Sequence, residues 1–290
     1  MVSPWFAPDG RRPTHPCSDG CDLVGVIDEG STSVVYRMRD RETGAMSVAK
    51  HFRPKYSIKM AQHEYALLQR LGAHPNVINV FSLHSTPAGS WMYMEDGGHA
   101  LVERLLNSTV EVPEDVRTSW CMELLSVVYH LHVKGIAHMD LKLDNITVAD
   151  DGRIRLIDFG YAHVYQPEEV ETSLVQWRGS PSYAAPEVLA EKVFSAYAAD
   201  VWSLGICIFA INTKVFPFGK AFHDDDRFQK FAEVQRTTNA GVEYMVRSYR
   251  LHGYFNDRFI DKWVHALERM LTVVPTARIR MCETSVNAVF

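Results

Sequence analysis

The 290-residue chain is 47% hydrophobic and 22% charged, ample apolar material for a soluble protein of two folding units or one domain in two lobes. Its 30 Lys and Arg against 35 Asp and Glu leave a net charge of -5, so no global basic field draws it to nucleic acid or to an anionic membrane. The most apolar stretch, Val201 to Ile211, is shorter than the roughly 18 residues a spanning helix needs. Five scattered cysteines, with no second Cys or His pair at zinc-binding distance, read as free thiols of a cytoplasmic or nuclear protein.

Residues 1–20 carry Pro4, Pro8, Pro13 and Pro16 among small polar residues, the composition of a flexible arm. Val34-Val35-Tyr36 and Ser47-Val48-Ala49-Lys50 suit strands joined by the turn signal Arg41-Glu42-Thr43-Gly44. Ile58, Tyr65, Leu68 and Leu71 fall near helical spacing, and His74-Pro75-Asn76 ends that helix before a strand-like Val77-Ile78-Asn79-Val80. After Gly97-Gly98 the character turns helical. Pro113-Glu114-Asp115 is a good helix start, with carboxylates at the positive end of the dipole, and Val116, Trp120, Leu124, Val127 and Leu131 line one face as far as His132. A strongly apolar helix is predicted over about 200–213, and others within 225–250 and 258–271. The layout is α+β: a small sheet-rich N-terminal unit, then a larger helical one, with the break at Glu95–Gly98.

The densest chemistry lies mid-chain. His138-Met139-Asp140-Leu141-Lys142-Leu143-Asp144-Asn145 precedes the hairpin signal Asp151-Gly152 and then Leu156-Ile157-Asp158-Phe159-Gly160. One short segment thus supplies a carboxylate, an amine, an amide oxygen and a second carboxylate. Phosphoryl transfer uses that set: one carboxylate orients the acceptor hydroxyl, a Lys neutralises the moving phosphoryl, and hard oxygen ligands hold Mg²⁺. Asp140 and Asn145 stand at the spacing of the protein-kinase catalytic loop.

From these residues the chain, over roughly Cys21 to Cys282, is identified as resembling the eukaryotic protein-kinase family, serine/threonine type. Further landmarks fall in family order. Ser47-Val48-Ala49-Lys50 resembles the strand bearing the phosphate-binding Lys, and His63-Glu64-Tyr65 the helix whose Glu pairs with it. Gly179-Ser180-Pro181-Ser182-Tyr183-Ala184-Ala185-Pro186-Glu187 resembles the substrate-side loop, Asp200-Val201-Trp202-Ser203-Leu204-Gly205 the large-lobe anchor, and Pro275-Thr276-Ala277-Arg278 the partner segment of Glu187. The resemblance implies a bilobal kinase domain over 21–285, with an antiparallel-sheet N-lobe at 21–95 and a helical C-lobe at 99–285. It implies ATP and Mg²⁺ as cofactors and a protein as substrate. Asp140 becomes the base or hydroxyl-orienting group, Lys142 the γ-phosphoryl stabiliser, Lys50 the phosphate clamp oriented by Glu64, and Asn145 and Asp158 the Mg²⁺ ligands, with Ser180 bonding near Asp140 and Lys142. Ile27, Gly30, Val35, Val48, Met94 (as gatekeeper), Glu95, Gly97 and Thr147 complete the nucleotide pocket. Glu187 and Arg278 are expected to form a buried ion pair.

The chain also departs from the family pattern. Ile27-Asp28-Glu29-Gly30-Ser31-Thr32-Ser33-Val34-Val35 keeps only the middle glycine of Gly-x-Gly-x-x-Gly, so weaker ATP binding is expected. Val48 replaces the usual Ala, Thr147 an apolar floor residue, and Met139 the Arg of His-Arg-Asp. Met cannot pair with an activation-loop phosphate, so activity is expected not to depend on one, although Thr172 and Ser173 follow the acidic run Glu168-Glu169-Val170-Glu171. Asp144 points to basic residues in the substrate, and Phe216 through Asp226 is similar to calcium/calmodulin-dependent-type kinases. Two other readings stay open. A pseudokinase scaffold is favoured by the eroded loop, and a small-molecule kinase of the aminoglycoside or choline type shares the Asp-x4-Asn spacing but lacks the Ala-Pro-Glu and anchor segments. His132 and His138 read as core or hydrogen-bonding groups, and Trp202, Phe209, Phe216 and Phe218 as large-lobe core.

Overall fold

The structure is a computed structural model that describes residues 20–54, 57–86, 89–107, 111–165, 179–190, 193–255 and 258–281. The chain divides into two compact units. The first takes the chain up to Gly72 together with Ile78–Asp96, the second Ala73–Val77 together with the chain from Gly97.

Unit 1 is an antiparallel five-stranded sheet in the order β1-β2-β3-β5-β4, with one helix. Its strands are β1 (Cys21–Glu29), β2 (Ser33–Asp40), β3 (Met46–Phe52), β4 (Val80–Thr86) and β5 (Gly89–Glu95), and α1 spans Ser57–Leu71. The β2–β3 turn closes on Asp40, whose Oδ1 accepts from the backbone of Glu42 and Thr43 and from the Thr43 hydroxyl. Those bonds from Thr43 hold the Asp40 carboxyl below its usual range. Residues directly opposite each other in the ladder share a face. Tyr36 opposes Ala49, which opposes Tyr93, and these pack with Val34, Met38 and Trp91 into one buried cluster. The other face carries Val35, Lys50, Val48 and Met94, because Val35 pairs with Lys50 and Val48 with Met94.

The strand expected over Val77–Val80 begins only at Val80. Val77, itself part of unit 2, instead bridges to Leu156 of the same unit, and the neighbouring Asn76 carbonyl accepts from the Leu156 amide at 2.9 Å. The Asn76 amide nitrogen also donates to Glu123 Oε2 and to the Ile154 carbonyl. Buried amide partners within unit 2, not local propensity, thus place the break.

Unit 2 is built on α2 (Glu114–Val133) and α4 (Ala196–Thr213), with α3 (Pro186–Leu189), α5 (Asp226–Thr238), α6 (Gly241–Leu251) and α7 (Val264–Met270). Two small sheets accompany them: β6 (His99–Ala100), β8 (Ile146–Val148) and β9 (Ile154–Leu156) in one, β7 (Ile136–Ala137) and β10 (His163–Val164) in the other. The helical stretch expected within 225–250 is two helices, because Asn239 turns left-handed at φ 59° and closes α5. Asp225, the middle residue of Asp224-Asp225-Asp226, caps α5 by accepting from the Phe228 amide at 3.0 Å.

α4 is the hub. It is long and apolar enough to cross a membrane by length and composition, yet 83% of it is buried inside the protein. Ser195 caps its start and Lys214, left-handed at φ 60°, its end. Trp202, Phe209 and Phe218 are fully buried, each contributing roughly 1.5–3 kcal/mol by leaving water, while Phe216 is only half-buried, with its ring edge-on to Tyr183. Glu187 and Arg278 form the ion pair the sequence suggested: two bonds at 2.6 and 3.0 Å, with further donation from Arg278 to the Ala198 and Thr272 carbonyls. Cys121 on α2 and Cys207 on α4 are fully buried and in no disulfide. Burial pushes the Cys121 thiol up to about 12 and raises that of Cys207 well above its usual value.

Candidate active site

In unit 1 the candidate residues gather on one sheet face. Lys50 projects from β3 and its Nζ donates to both oxygens of Glu64 on α1, at 3.0 and 2.9 Å, with both side chains buried. A buried pair of this geometry fixes the direction of an otherwise flexible ammonium. Val35, Val48 and Met94 surround Lys50 through the cross-strand pairs, and Val48 and Met94 are buried. Ile27 lies on β1, 44% exposed, and Gly30 at the tip of the β1–β2 hairpin. Glu95 ends β5. Its amide donates to the Asn79 carbonyl and its Oε1 accepts from the Asn79 amide, both at 2.9 Å.

In unit 2 the loop after β7 brings the remaining residues together. Lys142 Nζ donates to Asp140 Oδ2 at 2.8 Å and to Ser180 Oγ at 3.3 Å. Asn145 Nδ2 donates to the Asp140 carbonyl and to Asp140 Oδ2, both at 2.9 Å. Those two bonds settle the amide orientation and leave Oδ1 as the acceptor end of Asn145. Asp140 Oδ1, by contrast, is buried and has no hydrogen-bond partner among the described residues. Burial alone would lower the Lys142 pKa, but the bond to Asp140 and the charges of Asp140, Asp144 and Asp158 outweigh it and raise it. Lys142 therefore stays protonated across the physiological range.

The backbone here is strained and held. Met139 sits at φ 68° and Asp158 at φ 60°, a left-handed conformation that an L-residue adopts at a cost of roughly 1–2 kcal/mol. Asp200 of α4, itself 1% exposed, accepts from the His138 amide at 2.7 Å and the Met139 amide at 2.8 Å, and its Oδ2 lies 3.1 Å from His132 Nε2. The Asp140 amide donates to His138 Nδ1, so the His138 proton resides on Nε2, facing the Ile157 carbonyl at 3.1 Å. The His138 ring also meets Phe159 edge-on at 4.8 Å. The Leu143 amide donates to the Tyr183 hydroxyl, and burial raises that hydroxyl's pKa. Gly97 is buried. Gly98 at φ 84° has no room for a side chain, since a Cβ would lie 2.0 Å from the Val148 carbonyl oxygen. Thr147 is buried and its hydroxyl donates to the Arg155 carbonyl at 3.4 Å.

Every candidate residue therefore falls within one of the two halves. Asp200, which in the sequence stands only within the anchor segment, thus joins the site by holding the loop that bears Asp140. The signal for it was a single carboxylate in an otherwise apolar helix. Thr172, Ser173 and the acidic run Glu168-Glu169-Val170-Glu171 lie outside the described residues.

The sequence matches the family model for the protein kinase domain over residues 22–290. This chain belongs to the protein kinase family. The kinase domain is 34% identical over 152 residues to serine/threonine-protein kinase kin-29 of Caenorhabditis briggsae, covering 52% of this chain and 18% of that protein. It is 32% identical over 205 residues to CBL-interacting protein kinase 9 of Oryza sativa subsp. japonica, covering 68% of this chain and 44% of the relative. With human serine/threonine-protein kinase D3 it shares 31% identity over 215 residues, covering 71% of this chain and 24% of the relative. The kinase domain thus spans less than half the length of these relatives.

Proposed function

We propose that this chain is a serine/threonine protein kinase that moves the γ-phosphoryl of Mg-ATP to protein hydroxyls. The observation that carries the reading is Asp140: a buried carboxylate with one oxygen held by Lys142 and Asn145 and the other without a partner. An orphaned buried acceptor is costly unless something donates to it, and an acceptor hydroxyl does. The similarity to proteins named serine/threonine-protein kinases supports the same reading.

The residues fit the cofactor. Asn145 Oδ1 and the Asp158 carboxylate are hard oxygen donors, and Mg²⁺ takes only one or two carboxylates from a protein when phosphates and water complete its shell. Among the described residues no group of three or more His, Cys, Asp or Glu competes as a metal cage. When bound, Mg-ATP supplies the transferable phosphoryl and neutralises charge on the leaving diphosphate. Asp140 orients the hydroxyl and takes its proton as the acceptor oxygen bonds to phosphorus and the bond to the ADP oxygen breaks. Protonated Lys142 balances negative charge on the moving group, and Ser180 keeps the Lys142 ammonium in place. Lys50, aimed by Glu64, serves the α- and β-phosphates. Met139 leaves activation-loop phosphate without the usual Arg, so turnover is independent of it. The exposed Asp144 favours basic residues near the target hydroxyl.

The test is transfer from labelled ATP with Mg²⁺ to a basic protein, beside Asp158→Ala and Asp140→Ala. Transfer by the native chain, lost in both variants, is the expected result. A thermal shift with nucleotide and no transfer would instead identify a binding scaffold. Phosphatase treatment that abolished turnover until Thr172 was re-phosphorylated would refute the independence from loop phosphate.

A further inference from the structure

The β1–β2 hairpin that the nucleotide reading places over the phosphates lacks two of the glycines that give such loops their freedom: Asp28 and Ser33 stand in their places. The remaining Gly30 does not exploit its own permissiveness. Its φ lies outside the left-handed region, and a Cβ there would meet only the Ser33 carbonyl oxygen, at 3.8 Å. The tip is therefore a conformation any residue adopts, and its order comes from elsewhere.

That source is Arg53, the first residue past β3. Its amide donates to the Thr32 carbonyl at 2.8 Å, which extends the β2–β3 ladder one step beyond the Ser33–Phe52 pair and onto the tip. Its Nη2 donates to Glu29 Oε1 at 2.6 Å, and its Nε to the Gly30 carbonyl at 3.4 Å. The Gly30 amide closes the turn on the Ser33 carbonyl at 2.9 Å. One side chain and its own amide thus grip residues on both limbs of the hairpin. The same strand carries Lys50, so the tip and the phosphate-clamping amine share a rigid support.

The charge arrangement points the same way. Asp28 and Glu29 put two carboxylates beside a tip that must accept a polyphosphate, which like charge opposes. The guanidinium of Arg53 neutralises one of them.

We propose that Arg53 is a positioning residue for nucleotide. It fixes the hairpin in place of glycine plasticity and masks the Glu29 charge. The proposal rests on the ATP-dependent reading above. Arg53→Ala should raise KM for ATP about fivefold, with kcat and the KM for peptide each changing less than twofold. Both members of the pair are about half-exposed, so the effect should shrink as salt rises. Arg53→Lys, which keeps the charge but loses the fork, should fall between. Adding Glu29→Gln to Arg53→Ala should recover part of the loss, because the bared carboxylate is gone. An Arg53→Ala enzyme with native KM for ATP would overturn the proposal, as would equal rises in the KM for ATP and for peptide. Hydrogen exchange at Gly30–Ser33, measured without nucleotide, judges the clasp separately from catalysis. Faster exchange confined to the hairpin in Arg53→Ala supports it, and unchanged exchange sinks it. If the native chain transfers no phosphoryl while this exchange difference is present, the functional reading fails and the clasp stands.

Discussion

Asp200→Asn probes how α4 sets the geometry of the loop bearing Asp140. The carboxylate accepts from two buried amides and lies beside His132, and it is almost wholly removed from water. An Asn keeps the shape and one acceptor oxygen, but its NH₂ must face one of those donors. One buried N–H is then orphaned, about 1–3 kcal/mol, and the surviving bond loses its charge assistance, about 1 kcal/mol more. The left-handed Met139 backbone also loses part of its support. The sum is about 3 kcal/mol, or roughly 6–12 °C in melting temperature for a domain of this size. Asp200→Ala orphans both amides and should cost about 5 kcal/mol. Because Asp140 follows directly on these amides, turnover should fall further than stability explains, by about a hundredfold at a temperature where the variant remains folded. Calorimetry and phosphotransfer on the same preparation decide it. An Asn variant with native melting and native turnover would refute the reasoning.

Other perturbations have equally definite outcomes. Arg278→Ala leaves Glu187 charged and buried, so unfolding should come about 3–5 kcal/mol sooner, read by urea titration, while nucleotide-induced thermal shifts persist. Gly98→Ala forces a Cβ against the Val148 carbonyl at a positive φ, and soluble yield should collapse. His74, whose ring lies 4.6 Å from that of His130, has its pKa lowered by burial and then by the charges of His130 and Arg153. The unfolded chain therefore binds more protons, so this contribution is present above the ordinary value of 6.5 and is lost as pH falls below it. A His74→Gln variant should show a flatter decline of melting temperature over that acidic window. An identical slope would remove His74 as the cause.

The parts of the site that were legible in the sequence are those whose chemistry is local. Asp140, Lys142 and Asn145 lie within one turn of chain, and Asp158 follows a strand and a Gly turn, so spacing alone sets them side by side. The Lys50–Glu64 pair was legible through motif, since alternation on β3 and the helical period of α1 fix which face each presents. What escaped was tertiary. Nothing around Asn76 says that its amide will bond Glu123 and Ile154, and that bond is why the strand starts at Val80 instead of Val77. Asp200 carries no local sign of the two amides it receives. Arg53 looks like any surface arginine until the hairpin folds back beneath it.

The buried thiols of Cys121 and Cys207 have a practical consequence. Protonated far above neutrality and sealed between the two central helices, neither can be alkylated while the large unit stays folded. Their labelling kinetics therefore clock the opening of that unit, and a mass-resolved maleimide time course would follow its breathing without any engineered probe.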